Sequence, residues 1–235
     1  MRRALRALSS VLIVAGVLLI ADAAVTLAWQ EPVSAFLASR QQGKLADELE
    51  QIEQRAPTPV QRRALAQLRT DRHRIAFLAR VARRTATDGE PFGRLRIPSI
   101  NQDSVVVNGT QPDDLRMGPG HYPDTTFPGL EGTVAIAGHR TTYGAPFRNV
   151  DQLGKGDELV LEMPYGRFTY VFTRQLIVKP TATWVTRDVG YEQLVLSACH
   201  PLFSAAERII VFARLVRVEE RGAAQQKPPQ RAATS

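Results

Sequence analysis

From Phe92 onward the hydrophobic residues of this chain adopt a period of two, and turn residues break the pattern at short intervals. A strand places successive side chains on opposite faces, whereas a helix returns to one face every 3.6 residues, so this stretch cannot be a bundle of helices. The alternation predicts strands over 93–97, 104–108, 133–137, 158–163, 168–178, 193–198 and 208–218. Between them lie Asn108-Gly109, Gly118-Pro119-Gly120, Pro128-Gly129, Gly154-Lys155-Gly156-Asp157 and Pro164-Tyr165-Gly166, all turn formers. Short strands in this number with little helix predict a mainly β fold, either a closed barrel or a sandwich.

The chain ahead of residue 92 follows a different pattern. Arg2, Arg3 and Arg6 precede 11–29, a segment apolar except for Asp22 and Thr26 and long enough to span a hydrocarbon core. Basic residues stay on the cytoplasmic side, so a single-pass anchor would leave the rest of the chain outside the cell. An acidic residue at a membrane centre costs roughly 2.5 to 3.5 kcal/mol, less when off-centre, so Asp22 weakens the span. The alternative is a signal peptide with an apolar core over 11–21 and a small-x-small site at Ala21-Asp22-Ala23. Either arrangement exports the protein. Ala, Arg, Gln, Glu and Leu then dominate, with Leu45, Leu49 and Ile52 at helical spacing, a break at Pro57 and Pro59, and a second stripe at Leu65, Leu68, Arg72, Ile75 and Leu78. This is expected to be a helical hairpin or stalk that spaces the domain from the membrane. The domains expected are a basic cytoplasmic N-terminus over 1–10, an anchor over 11–29, a helical stalk over 30–90, a catalytic domain over 91–219 and a disordered tail over 220–235.

Three residues carry chemistry. Cys199 is the only cysteine, so no internal disulfide or multi-cysteine zinc site can form. It ends the apolar run Leu194-Val195-Leu196, Arg208 opens the next run, and His139 sits just past the run 133–137. A thiolate nucleophile needs a proton partner and gains from a fixed positive charge, and these residues supply both at strand edges where loops gather. A thiol and an imidazole at reference values of about 8.5 and 6.5 form the thiolate–imidazolium pair only about 1% of the time, so a permanently cationic arginine has work to do. It can favour the thiolate, hold substrate, or stabilise an oxyanion.

The net charge of +7 and pI near 10.1 favour anionic surroundings such as lipid headgroups or wall polymers. Nucleic acid is not expected as a partner, because the arginines form no basic stripe interleaved with aromatic residues. His73 and His121 belong to no metal set, so no metal or other cofactor is expected; calcium is left open, although no dense acidic loop is visible.

Ala137-Gly138-His139-Arg140, Leu196-Ser197-Ala198-Cys199-His200-Pro201 and Arg208-Ile209-Ile210-Val211 resemble, in order, the signature blocks of the sortases, cysteine transpeptidases of bacterial cell surfaces. The runs His139-Arg140-Thr141-Thr142-Tyr143-Gly144 and Cys199-His200-Pro201 look most like the class E housekeeping sortases of high-GC Gram-positive bacteria. One departure is plain: where the family usually has Thr-Leu-x-Thr-Cys, this chain has Ser197 and Ala198 before the thiol. The resemblance implies a closed β-barrel of about eight strands with short helices, preceded by a transmembrane helix and a stalk. It implies that Cys199 attacks the Thr-Gly bond of a sorting signal of the Leu-Ala-x-Thr-Gly or Leu-Pro-x-Thr-Gly type and that His139 moves the protons. Arg208 would assist, and Tyr143, Trp184, Arg140, Ser197 and Ala198 would contact the peptide. The implied partners are surface-protein precursors with a C-terminal sorting signal, an amine of a peptidoglycan precursor, and the membrane. Pilus polymerisation would use the same site. Two other exported cysteine enzymes fit less well: L,D-transpeptidases usually carry Gly before the cysteine, and papain-like proteases place Cys before His in the chain. A wall-binding module without catalysis is the non-enzymatic alternative.

Overall fold

The computed structural model describes residues 2–28 and 32–225. Eight strands close into one barrel in the order β1-β2-β3-β4-β7-β8-β6-β5. They are β1 (Pro91–Ile97), β2 (Gln102–Asn108), β3 (Gly120–His121), β4 (Thr133–Ala137), β5 (Glu158–Met163), β6 (Gly166–Val178), β7 (Gln193–His200) and β8 (Glu207–Glu220). Seven coincide with the expected runs. β3 does not, because two residues carry no period; it is held between β2, which it pairs in parallel, and β4, which it pairs antiparallel. Closure removes every free sheet edge.

Alternation sorts the side chains into two layers. Leu95, Val134, Ile136, Leu161, Leu196 and Ile209 belong to the main core inside the barrel. Ala135, Val195, Ile210 and Phe212, one residue out of phase, form a second cluster on the outer wall with Val185 from the β6–β7 connection. That connection therefore lies against the sheet.

The helices are α1 (Arg2–Ala28), α2 (Pro32–Gln54), α3 (Pro59–Gln67), α4 (Asp71–Thr85) and α5 (Pro112–Met117). Thr58 and Gln61 form a reciprocal cap that starts α3, and the Thr70 side chain caps α4. The expected stalk helices lie on the barrel. Leu45 and Leu49 of α2 pack on Val105 and Val107, while Leu65, Ile75 and Leu78 of α3 and α4 enter the main core. An apolar stripe needs a partner, and the barrel supplies it. Gln42 fastens α2 further: its amide donates to the carbonyls of Val105 and Met117 at 3.0 and 2.9 Å and accepts from Val105 N–H at 2.7 Å. The buried arginine of α4 is Arg74, not Arg72 of the expected stripe, which is exposed and pairs with Glu131. The expected tail begins in order, since Gly222–Gln225 forms a 3-10 turn with Ala224 in the core. Residues 226–235 lie outside the described residues.

Among the described residues no helix is long and apolar enough to cross a membrane. The expected anchor over 11–29 runs into residues outside the described set, so the single-pass span and the topology built on it are not established by the fold. Within α1, Leu12, Leu18, Leu19 and Ile20 are exposed.

His121 illustrates what the barrel does to a titratable group. It is fully buried, stacked on Phe92 with ring centroids 4.1 Å apart, and its Nε2 lies 3.1 Å from the Thr126 carbonyl oxygen. Burial lowers its pKa to about 4. The native state thus keeps the ring neutral, and its contribution to stability is complete above the unfolded value of about 6.5 and lost as pH falls from there toward 4. At roughly 1.4 kcal/mol per pKa unit, acidification should cost about 3 kcal/mol through this residue. Urea unfolding of His121→Asn at about pH 7 and about pH 4 should show a smaller difference than the unaltered chain; an equal difference would remove His121 as the cause.

Candidate active site

The site follows from two strand registers. β4 and β7 run parallel with Val134 opposite Leu194, Ile136 opposite Leu196 and Ala137 opposite Ser197. The Gly138 N–H continues the ladder by donating to the Ser197 carbonyl at 3.0 Å. His139 lies two residues past Ala137 and Cys199 two residues past Ser197, so the register carried beyond the end of β4 would bring them level, and one residue farther on Arg140 Nη1 does lie 3.3 Å from His200 Nδ1. On the opposite flank, antiparallel β7 and β8 pair Cys199 directly with Arg208. A thiol and a guanidinium thus occupy paired positions on adjacent strands, about 5 Å apart in a sheet, and the histidine follows the strand on the other flank. Their phase sets the face. Ala198 and Ile209 point into the core, whereas Val195 and Ile210 lie in the outer cluster, so Cys199 and Arg208 share the outer wall. All three are partly exposed.

Local structure fixes each group. The His139 carbonyl accepts from the Phe147 N–H at 2.9 Å, and the Phe147 ring lies so close to Gly138 that an added Cβ would sit 2.5 Å from it. Glycine is required there. Tyr143 lies beside the catalytic candidate, its ring centroid 5.0 Å from that of His139. Tyr143, Gly144 and Ala145 have φ of 51°, 75° and 42°, three left-handed residues in succession. Each non-glycine there costs on the order of 1 kcal/mol and persists only where surrounding contacts hold it. Ala38 of α2 closes the space there, since a Cβ added to Gly144 would lie 3.2 Å from its methyl. Partial burial pushes the His139 imidazolium below its ordinary pKa. Arg208 Nη1 donates to the carbonyls of Ala205 and Glu207 at 3.0 and 2.9 Å. Among the described residues it forms no salt bridge, so its charge is not neutralised by a carboxylate.

The other residues expected to contact a peptide fall in different places. Trp184, 45% exposed, sits in the β6–β7 connection, and Tyr143 adjoins His139. Ser197 lies on the outer-wall phase but is buried. Ala198 faces the barrel interior and has no surface to offer a substrate on the outer wall. Arg140 is buried as well, its guanidinium 2.9 Å from Asp151 Oδ1 and donating to the Arg148 carbonyl. Asp151 and Phe147 were not legible as site residues, because their roles depend on the path of a loop with no periodic signal. Among the described residues no group of three His, Cys, Asp or Glu is arranged to hold a metal.

Comparison with known proteins bears on these strands directly. Residues 95–216 match the sortase domain family. The chain is 38% identical over 132 residues to sortase D of Bacillus subtilis (strain 168), covering 54% of this chain and 65% of that protein. It is 30% identical over 156 residues to sortase SrtE1 of Streptomyces coelicolor, covering 60% and 44%. The chain therefore spans less than two thirds of the length of either relative. The structure of sortase E from Streptomyces avermitilis aligns with a TM-score of 0.52 at 35% identity, covering 60% of this chain and 99% of that one. SrtF sortase from Corynebacterium diphtheriae aligns with a TM-score of 0.55 at 29% identity, covering 62% and 93%. Both D and E designations occur among these relatives, so similarity extends across classes. Because the family match runs through more than half of the chain, and takes in His139, Cys199 and Arg208, this protein belongs to the sortase family.

Proposed function

We propose that this protein is a membrane-anchored transpeptidase that cleaves a sorting signal between Thr and Gly and joins the threonine carbonyl to an amine of a peptidoglycan precursor. The observation that carries it is the pairing of Cys199 with Arg208 on the outer wall of the barrel, beside the parallel pairing of β4 with β7 that leads the chain into His139 next to the cysteine strand. The Cys199 thiolate attacks the threonine carbonyl carbon, and the resulting oxyanion is met by Arg208. As the C–N bond breaks, His139 gives its proton to the departing glycine amine and the thioester remains. An acceptor amine then attacks the thioester, His139 takes up its proton, and the thiolate leaves as the new amide forms.

Burial disfavours the His139 imidazolium, the form that must give its proton to the leaving amine. The acid limb of kcat/KM, which reports the first proton lost by the free enzyme, should therefore have its midpoint below the ordinary imidazole value of about 6.5. A midpoint above that value would contradict the assignment of His139. Membrane attachment is supported by the basic residues Arg2, Arg3 and Arg6 in the first turns of α1 and by its exposed leucines and isoleucine. Tethering in one plane with an anchored precursor and a lipid-linked acceptor would raise their effective concentration. The exposure of Trp184 and the contact of Tyr143 with His139 support a role for both in holding an extended peptide laid across the outer wall.

The test incubates the protein with a Leu-Ala-x-Thr-Gly peptide, with and without a glycine amine, and reads the mass of the protein and of the products. A thioester on Cys199 and an amide exchanged only when amine is present are expected. Hydrolysis or transfer that proceeds with Cys199 alkylated would sink the proposal.

A further inference from the structure

We propose that Arg140 is a positioning residue: it latches the segment carrying His139 to the end of the strand carrying Cys199, through His200, and so sets the separation of imidazole and thiol. The inference rests on the assignment of His139 and Cys199 as the reacting pair. Arg140 follows one and His200 follows the other. The β4–β7 register ends at Ala137 opposite Ser197, and three residues past each of these Arg140 Nη1 lies 3.3 Å from His200 Nδ1. A guanidinium has only N–H donors, so the contact is a hydrogen bond when His200 Nδ1 accepts, which makes His200 a neutral ring with its proton on Nε2.

The other side of the guanidinium is anchored to the same loop farther along. Nη2 lies 2.9 Å from Asp151 Oδ1, and Nε and Nη2 donate to the Arg148 carbonyl at 3.3 and 3.1 Å. Only 2% of the Arg140 side chain is exposed. A cation this buried is retained at a desolvation cost that only well-placed partners offset, and its partners come from the far end of the loop and from the neighbouring strand. Between His139 and Asp151 the chain runs through left-handed Tyr143, Gly144 and Ala145, a path with little intrinsic preference for its own shape. Without the latch the histidine is tied by the Phe147 N–H to its carbonyl and by the Tyr143 ring beside its own. The reacting groups sit on one face and the latch on the next residues, so it adjusts geometry without occupying the substrate's space.

The experiment uses the full chain purified in detergent, with kcat and KM for a Leu-Ala-x-Thr-Gly peptide and glycine amine, the pH profile of Cys199 alkylation by iodoacetamide, and the melting temperature. Displacement of a reacting group by about 1 Å costs on the order of 100-fold, so Arg140→Ala should lower kcat by roughly that factor while KM changes less than about threefold. Its alkylation profile should move toward that of His139→Ala. His200→Asn keeps an acceptor near the Nδ1 position and should hold kcat within about threefold, whereas His200→Phe keeps the shape, loses the acceptor, and should fall by roughly 30-fold or more. If Arg140→Ala fails to fold, the His200 pair decides: equal kcat for Asn and Phe overturns the latch. A lower melting temperature with unchanged kcat and an unchanged alkylation profile would overturn it too, since that is the mark of a purely structural role. These outcomes are separable from failure of the proposed function, which would appear as turnover surviving in Cys199→Ala.

Discussion

Cys199→Ala should lower transpeptidation by at least about 10,000-fold while leaving the melting temperature within a few degrees of the unaltered chain. The covalent route needs a sulfur that the alanine methyl cannot replace, and what remains is whatever Arg208 and peptide binding do for a water molecule. Cys199 stands near the end of β7 and is partly exposed, so removing one atom opens no core cavity. His139→Ala should produce a loss of similar size. The double variant should be no worse than the poorer single one, because residues that act as a unit are not additive in their effects. Discontinuous assay of peptide cleavage and amide formation, with circular dichroism on each variant, checks this. Losses that multiply in the double variant would mean that the two side chains act in separate steps.

The largest effect on stability is expected from Arg74→Met. This arginine is 1% exposed and joins three parts of the molecule. Its Nη2 pairs with Asp71 of α4 and lies 2.7 Å from Glu220 Oε1 at the end of β8, Nε donates to the Ala224 carbonyl at 2.9 Å, and Nη1 donates to the Leu68 carbonyl at 3.2 Å. Removing the cation leaves Glu220, itself only 15% exposed, without compensation. Breaking one partner of a buried pair costs about 3 to 5 kcal/mol, equivalent to roughly 10 °C in a domain of this size. A second substitution distinguishes charge from packing: Arg74→Met with Glu220→Gln should recover a good part of the loss. Thermal unfolding of the two variants measures it, and no recovery would place the cost in packing alone.

The barrel was legible where alternation ran for five residues or more, because burial on one face leaves its mark at every second position. β3 left none. Docking of α2 was written less openly, in the unbroken run Val105-Val106-Val107: a strand covered on one side alternates, and this one is apolar on both faces because α2 lies against its outer side. The sequence of the helices alone reads as a spacer, since amphipathic stripes do not name their partner. Cys199, His139 and Arg208 were recognisable as chemistry from residue type and strand-edge position. Placing them side by side required the registers, which are long-range facts. The inward turn of Ala198 follows from its position next to an outward Cys199, so parity alone separates it from a peptide-contacting role. Burial of Arg140 did not follow from anything local; Asp151 is brought to it by a loop whose course no periodicity describes.

The parallel pairing of β4 with β7 has an evolutionary corollary. Loss of a single residue within either strand would swing its terminal side chain to the opposite wall, whereas lengthening the turn at 154–157 or the stretch at 179–192 leaves the alignment untouched. The loops outside these two strands can therefore change in length while the residues at the strand ends keep their alignment.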